Sequence, residues 1–363
     1  MSDQLRVSDA DAARLLASLP VSQPARARRS TEGSEHIVWF VNDDMVLRVP
    51  VVHDGDDDDD DDGLEALRRE KALLDVLRAE AEAAHAPPQV RDAIPEILAL
   101  GTSITTTATH QGSGGQRRWA YALCRRAAGV SVEEAPPGAV TAETERGLAA
   151  LLAVLGRRPV RDAAERLGYP PADERRDREL TGTAAQAWRR LRDRNQLGAL
   201  AGVDFEGYLA AADADMEPPA GMSLSGDTEG VEEEEEEEEV LSHADLKGEH
   251  IFIDAATGRL GGVIDWSDAR AAAHPGTDVG GLAISLGAAA AARVGAGAGR
   301  NPAAVRRGLR VARCEAVERL DAVLNAGDDS PEGLVRRQLA RALEGVGPLE
   351  LDAAGVGRLG GGV

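Results

Sequence analysis

The sequence predicts an α+β fold in which a small part, made of strands and one long helix, precedes a larger helical part. Runs rich in Val, Ile, Trp, Phe and Tyr, bounded by turn residues, lie before residue 125 and are typical of strands. From Thr141 onwards the chain is largely helical in pattern. A β-hairpin predicted for residues 251–264 interrupts this helical part. Strands that precede helices in this way are typical of α+β proteins.

Capping and turn residues predict where the N-terminal helix and strands begin and end. Residues 8–19 predict a short amphipathic helix that is capped by its first polar residues. Residues 37–41 and 45–49 predict two strands joined by the polar turn 42–44. The preceding segment 32–35 contains a single glycine. It is therefore a weak signal for a phosphate-binding loop and is equally consistent with an ordinary turn.

A run of aspartates precedes the long helix. Asp54–Asp62 cannot bury itself, so we expect a disordered, solvated loop there; a calcium site is disfavoured because spaced ligands are absent. Residues 63–82 predict the helix, with Glu70 inside its leucine-rich face. A carboxylate on an apolar face is costly unless it is paired. Glu70 thus requires a cationic partner, and a surface arginine would be sufficient.

The remaining elements follow from the same patterns. Residues 94–101 and 119–124 predict strands separated by a Thr/Ser/Gly-rich loop. Residues 221–240 form an acidic linker and residues 355–363 a loose tail. We expect the linker to be solvated, and an acidic lid that attracts a cationic substrate is the sharper alternative. The helices predicted after residue 140 cover 141–155, 160–167, 181–194, 205–215, 280–292, 302–324 and 331–343.

The candidate functional residues surround the predicted hairpin 251–264. Its two apolar runs flank an Ala-Thr-Gly turn. Asp245 and His250 lie just before the first strand, and Asp265 follows the second, so the hairpin brings the three side chains together. Two carboxylates and one imidazole in a small volume suit a bound cation or a proton transfer. The sequence therefore predicts the functional site within residues 241–268.

These residues also carry a resemblance to a known family. The motif H-x-D-x-x-x-x-H at 243–250, followed by I-D-W, resembles the catalytic and metal loops of the aminoglycoside and macrolide phosphotransferases, antibiotic kinases with a protein-kinase-like fold. The stretch I-D-W-S-D-A-R at 264–270 is most similar to the macrolide branch. His250 stands where many members have asparagine, as in the macrolide branch and some aminoglycoside enzymes. The resemblance covers roughly residues 30–290, with the two acidic runs as insertions.

The resemblance implies a role for each residue of the two loops. Asp245 would orient the acceptor hydroxyl and accept its proton as general base. Lys247 would neutralise the transferred phosphate, and His243 would orient the loop, although a buried core histidine is the simpler alternative. Asp265 would bind Mg²⁺ at the nucleotide phosphates, because Mg²⁺ prefers carboxylate oxygen. His250 would be a metal ligand or would support one, since imidazole binds Mg²⁺ less well than an amide oxygen does.

Further residues are implied to bind the nucleotide or to brace the loop. Arg48, within V-L-R-V-P, stands where the family has a strand lysine, and would bridge the phosphates to Glu70. Leu123 and Cys124 resemble the hinge that presents backbone groups to a purine. Asp278 resembles the aspartate that opens the next helix and braces the catalytic loop, and an ordinary helix N-cap is the alternative.

The implied fold is bilobal and protein-kinase-like, with ATP or GTP bound between a small N-lobe and a larger helical C-lobe. We assign residues 1–123 to the N-lobe, 124–129 to the hinge and 130–363 to the C-lobe. The catalytic and metal loops, 241–268, lie within the C-lobe.

The implied activity is transfer of the γ-phosphate of ATP or GTP to a hydroxyl of an aminoglycoside or macrolide, a small cationic substrate. Only 12 residues separate Asp265 from Asp278, and no A-P-E signature lies between them. That spacing leaves no room for the segment that docks a peptide in protein kinases. A kinase of a sugar or amino-alcohol metabolite remains open, as does a nucleotide-binding pseudokinase, although the latter would require a broken site.

Composition limits the partners of this chain of 363 residues. Its formal net charge is −22, but the aspartate run and Glu232–Glu239 supply much of that charge. The remainder is mildly acidic, which disfavours nucleic acid as a partner. Cys124 and Cys314 are the only cysteines and do not suggest a zinc site or a disulfide framework. Because no apolar leader or membrane-spanning run is present, we expect a cytoplasmic protein; its oligomeric state is left open.

Overall fold

An antiparallel sheet of five strands forms the N-terminal part of the computed structural model. The structure describes residues 7–19, 21–30, 36–51, 60–107, 115–172, 176–214, 238–345, 349–351 and 357–359. The strand order is β1-β2-β3-β5-β4, so β5 lies between β3 and β4. These strands are β1 (Ala27–Arg29), β2 (His36–Val41), β3 (Met45–Pro50), β4 (Ile97–Thr107) and β5 (Gly115–Arg125).

The two faces of this sheet are covered differently. Helix α1 (Asp9–Leu16) begins at a capping box on Ser8 and packs against Trp39, Val41 and their neighbours on the outer face. Helix α2 (Asp60–Ala83) covers the inner face and is followed by the short α3 (Pro88–Ala93). The inner face of the sheet therefore looks towards α2 and the C-terminal part.

Two predictions for the N-terminal part are wrong in their extent. Residues Asp60–Asp62, expected in a solvated loop, form the first turn of α2, where negative charge is favourable to the helix dipole. Much of the expected loop between β4 and β5 is strand, because the two strands pair as far as Thr107 and Gly115. The predicted phosphate-loop segment 32–35, Asp54–Asp59 and the loop 108–114 lie outside the described residues.

The C-terminal part is mainly helical and carries two small sheets. Antiparallel strands β6, β8 and β9 form one sheet and β7 pairs with β10 in the other, so the predicted hairpin is confirmed as β8–β9. The strands are β6 (Val130–Ser131), β7 (Val240–Ser242), β8 (Ile251–Ile253), β9 (Leu260–Val263) and β10 (Arg270–Ala273). The helices are α4 (Ala142–Leu155), α5 (Arg158–Arg166), α6 (Arg176–Asp193), α7 (Phe205–Ala214), α8 (Thr277–Leu286), α9 (Ala288–Gly297), α10 (Pro302–Asn325) and α11 (Glu332–Ala342).

Three expectations in this part need correction. The single helix predicted for 280–292 is two helices, because Gly287 adopts a φ of 98°, which a continuous helix cannot contain. The tail expected to be loose contains a strand, β12 (Gly357–Leu359), which pairs with β11 (Leu349–Leu351). The acidic linker ends before Val240, which belongs to β7, and its residues up to 237 lie outside the described part.

The larger hydrophobic core spans both parts of the molecule. One cluster of buried side chains includes leucines of α2, Val263 and Trp266 of the hairpin region, and apolar residues of α4 and α8. The loops around β7–β9 are thereby fixed between the N-terminal and C-terminal parts. The α+β architecture predicted from the sequence is confirmed. Within the described residues, no helix is long and apolar enough to cross a membrane.

Candidate active site

The loop after β7 is held by one buried carboxylate. Asp278, in the first turn of α8, accepts hydrogen bonds from the hydroxyl of Ser242 (2.8 Å) and from the backbone N–H groups of His243 and Ala244 (both 3.1 Å). Ala244 has a φ of 64°, which costs a residue with a side chain roughly 1–2 kcal/mol. The hydrogen bonds to Asp278 fix this unusual backbone. The contact by which Asp278 was predicted to brace the loop is therefore present. A role as helix N-cap alone would not explain its hydrogen bonds to His243 and Ala244.

His243 is fully buried at the start of the same loop. Its Nε2 lies 2.9 Å from the backbone oxygen of Ile264, and its Nδ1 lies 3.4 Å from the backbone nitrogen of Asp245. Because a carbonyl oxygen only accepts, Nε2 carries the proton and Nδ1 is the acceptor. Burial lowers the pKa of His243, with Asp278 opposing the shift, so the ring is neutral. The imidazole joins the loop after β7 to the loop after β9.

The three predicted residues do come together. Ligand atoms of Asp245, His250 and Asp265 all lie within 4.8 Å of one another. His250 Nδ1 is 2.9 Å from the backbone oxygen of Asp245, and its Nε2 is 3.4 Å from Oδ2 of Asp265. Nδ1 must therefore donate to the carbonyl. This leaves Nε2 directed at the Asp265 carboxylate.

Asp265 sits in a strained position beside this imidazole. Its φ is 67°, so Asp265 is the second non-glycine residue of the two loops, after Ala244, with a left-handed backbone. Its carboxylate accepts a hydrogen bond from the Ser267 hydroxyl at 2.9 Å. Burial alone would raise the pKa of Asp265, but His250, the Ser267 hydroxyl and Arg48 outweigh it and lower the pKa. Asp265 is thus ionised at neutral pH. Strained backbone of this kind is concentrated at functional sites.

The donor set suits a hard divalent cation. Two carboxylates supply the oxygen ligands that Mg²⁺ prefers, and Nε2 of His250 adds one nitrogen. Lys247 contacts the Asp245 carboxylate, with its Nζ 3.0 Å from Oδ2. The ammonium and a bound cation would therefore share this carboxylate.

Arg48 and Glu70 form the pair that the sequence predicted. Nη1 of Arg48, on β3, donates to Oε1 of Glu70, on α2, at 2.8 Å. Glu70 is buried, so this ion pair satisfies the carboxylate on the leucine-rich face. Burial lowers the pKa of Arg48, but Glu70 more than compensates, so the pKa is raised and the guanidinium stays charged.

The predicted hinge residues lie inside a strand. Leu123 and Cys124 belong to β5, paired with β3 on one side and β4 on the other. The Leu123 side chain packs in the outer cluster, whereas Cys124 faces the inner one. Burial raises the pKa of Cys124 to about 11, although Arg48 lowers it. The strand continues past the predicted lobe boundary to Arg125, so the chain leaves the sheet later than expected.

A cavity opens beside Asp245 on the C-terminal side. It has a volume of about 230 Å³. Asp245, Glu249 and Glu315 contribute carboxylates to its wall, and Lys247 and Arg319 contribute cations. The remaining wall is mainly apolar and is formed by α8, α10 and α11, including Ile284, Ala312 and Leu334.

Comparison with known proteins shows which family the chain belongs to. The model of the phosphotransferase enzyme family matches residues 26–311, which is most of the chain. The chain belongs to this family. It is a phosphotransferase, and the resemblance read from the loop motifs is confirmed. No curated protein sequence matches the chain.

Solved structures place this phosphotransferase in the kinase-like fold. The GDP complex of aminoglycoside 2′-phosphotransferase-IIIa is 19% identical, with a TM-score of 0.55, over 91% of this chain and 96% of that one. A mutant of that enzyme, also with GDP, is 19% identical with a TM-score of 0.52, over 92% and 93%. Macrolide 2′-phosphotransferase from Brachybacterium faecium is 18% identical with a TM-score of 0.46, over 95% and 100%. At such identities the first two establish the fold alone, and the bilobal architecture is confirmed.

Three residues near the candidate site were missed by the sequence analysis. His36, the first residue of β2, has its Nε2 3.4 Å from Nη2 of Arg48. A signal was available, because Val38 pairs with Arg48 and strand alternation puts His36 on the same face. Glu249 and Glu315 line the cavity, but Glu315 comes from α10, and no local pattern links it to the catalytic loop.

Proposed function

We propose that the protein transfers the γ-phosphate of ATP or GTP to a hydroxyl group of an aminoglycoside or macrolide antibiotic. The observation that supports this most is the convergence of Asp245, His250 and Asp265 beside a cavity in a kinase-like fold. Phosphoryl transfer needs mainly positioning and charge neutralisation, and these residues provide both.

The base of the proposed reaction is Asp245. Its carboxylate lies on the wall of the cavity, where an acceptor hydroxyl would be placed for in-line attack. The hydroxyl proton passes to Asp245 as the oxygen attacks the γ-phosphorus, and the bond to the leaving diphosphate breaks. Lys247, 3.0 Å from Asp245, would neutralise charge on the transferred group.

Asp265, with Nε2 of His250 beside it, would hold Mg²⁺. The bound ion would supply charge neutralisation at the nucleotide phosphates. His250 contributes in a second way, because its Nδ1–H anchors the backbone of Asp245. The imidazole that replaces asparagine thus couples the base to the metal ligand.

The N-terminal sheet would bind the nucleotide. Arg48, held by Glu70, would grip the phosphates. Leu123 and Cys124 remain the predicted hinge contacts, and Cys124 is the one whose side chain faces the inner side of the sheet. Neither residue distinguishes ATP from GTP, and the aminoglycoside enzyme of similar fold was solved with GDP.

The cavity supports a cationic acceptor. The carboxylates of Glu249 and Glu315 would attract an ammonium group, and the apolar wall suits the face of a sugar ring. An amino sugar combines these two features and also carries hydroxyl groups that could reach Asp245.

The size of the cavity also favours a second candidate. A volume of about 230 Å³ is below the roughly 300–1,000 Å³ usual for drug-sized ligands. An antibiotic would place one ring inside and leave the rest outside, whereas a sugar or amino-alcohol metabolite would fit entirely. Kinase activity on such a metabolite is therefore the alternative.

Drug sensitivity and purified activity together test the proposal. A susceptible bacterium expressing the protein should become resistant to an aminoglycoside or a macrolide, and one expressing Asp245→Asn should not. The purified protein should phosphorylate the same drug, with ATP and GTP compared as donors. No protection from either class, together with phosphorylation of a metabolite, would replace the antibiotic by the second candidate.

A further inference from the structure

His36 lies at the point where β2 enters the site. It is half-buried, and strand alternation puts it on the inner face with Val38, which pairs with Arg48. The intervening residues Ile37 and Trp39 pack in the outer cluster instead. His36 is therefore directed towards Arg48 by the register of the sheet.

The two terminal nitrogens of the Arg48 guanidinium contact different residues, and the Cys124 side chain lies beside the same group. Nη1 donates to Glu70 at 2.8 Å, and Nη2 lies 3.4 Å from Nε2 of His36. A guanidinium can only donate, so Nε2 of His36 must be the acceptor and the ring must be neutral with its proton on Nδ1. Burial, followed by Arg48, lowers the pKa of His36 to about 4, against the opposing effects of Glu70 and Asp265. The neutral form thus prevails at physiological pH.

We propose that His36 is a positioning residue for the nucleotide, which fixes the second nitrogen of the Arg48 guanidinium while Glu70 fixes the first. This inference rests on the proposed kinase function. Anchors on both terminal nitrogens define the plane of the guanidinium more tightly than the Glu70 contact and the neighbouring Cys124 side chain do without His36. The remaining N–H groups are then held ready for the phosphates.

The need for a second anchor follows from arginine itself. A lysine ammonium is a compact charge whose direction matters little, but a planar guanidinium binds phosphate well only in the right orientation. Fixing a flexible side chain before binding removes part of the entropy cost of binding. His36 would therefore compensate for the arginine that stands in place of the family's lysine.

Isosteric substitutions distinguish this role from a direct phosphate contact. The amide oxygen of glutamine reaches the position of Nε2, whereas asparagine reaches only that of Nδ1. We expect His36→Ala and His36→Asn to weaken binding of a non-hydrolysable ATP or GTP analogue with Mg²⁺ about tenfold. His36→Gln should stay within about twofold of the wild type. Calorimetry measures the binding, and the KM for the acceptor should not change in any of the three variants.

Two further comparisons complete the experiment. In an Arg48→Lys background, His36→Ala should have little added effect, because the nitrogen it orients is gone. His85→Gln, beyond the end of α2, is the matched control and should bind as the wild type does.

The outcomes separate this inference from the proposed function. If the wild type binds nucleotide and His36→Ala binds it equally well, the positioning role is wrong and the kinase function stands. Rescue by asparagine instead of glutamine would also overturn it, since that pattern indicates a contact through Nδ1. A wild type that binds neither nucleotide would overturn the proposed function and this inference with it.

Discussion

Nε2 of His243 donates a hydrogen bond of 2.9 Å to the backbone oxygen of Ile264, the residue before Asp265. The contact crosses from the loop that carries Asp245 to the loop that carries Asp265. His243 also packs edge-on against Trp266, with ring centroids 4.6 Å apart. The spacing between the proposed base and the proposed metal ligand is therefore set by a buried, neutral side chain.

Removing the His243 donor should disturb both stability and turnover. In His243→Phe the ring volume is kept, but the backbone oxygen of Ile264 loses this hydrogen bond, which costs roughly 0.5–1.5 kcal/mol. Urea unfolding should show this loss, and kcat should fall because Asp265 is no longer fixed relative to Asp245. His243→Gln, which keeps a donor, should lie between the wild type and the phenylalanine variant. Wild-type stability in His243→Phe would show that Ile264 has another donor.

The two carboxylates should separate chemistry from nucleotide binding. Asp245→Asn keeps the shape but cannot accept the proton, so turnover should fall by a factor on the order of 10² or more while nucleotide binding is kept. Asp265→Ala should abolish metal-dependent nucleotide binding. Steady-state kinetics and calorimetry with and without Mg²⁺ measure these effects. Wild-type turnover in Asp245→Asn on a good acceptor would remove Asp245 from the role of base.

The central site was predictable because its parts are close in sequence. The hairpin formed by β8 and β9 is short, so its two ends bring His250 and Asp265 close together, and Asp245 lies only five residues before His250. The partnership of Arg48 and Glu70 was predictable for another reason. A carboxylate inside a leucine-rich face requires a charge partner, and the family resemblance indicated which one.

Features that depend on packing between distant segments were not predictable. The cavity beside Asp245 needs α10 to approach the loop after β7, and no periodicity specifies that approach. The break at Gly287 was missed because a glycine is tolerated within a helical pattern at moderate cost. The extension of β4 did leave a signal in the sequence, because Ile104 and the threonines around it favour strands, and these residues pair with β5.

The first turn of α2 provides a test of the corrected helix start. Asp62 is exposed near the positive end of the helix dipole, so Asp62→Asn should lower the free energy of unfolding by about 0.3–1 kcal/mol. Glu82, in the last turn of the same helix, is the matched control. Glu82→Gln removes the same charge at the negative end and should raise stability by a similar amount. Urea unfolding at low salt measures both, and equal effects of one sign would argue against the dipole explanation.

The half-buried His36 should make stability depend on pH in a defined window. Its pKa is lowered from 6.5 to about 4 in the folded protein, so the unfolded chain binds a proton more readily between those values. Stability should therefore be unaffected above about pH 6.5 and should decrease as the pH falls towards 4.

His36→Gln removes this titration but keeps an acceptor for Arg48. Between pH 7 and pH 4, the wild type should therefore lose on the order of 3 kcal/mol of stability relative to the variant. Urea unfolding of both proteins at several pH values measures this difference. The contributions of His243 and the carboxylates to the pH dependence are common to both proteins and therefore cancel. A difference that stayed constant from pH 7 to pH 4 would mean that His36 takes up its proton as easily in the folded protein as in the unfolded chain. The imidazole would then not be held as a neutral acceptor beside Arg48.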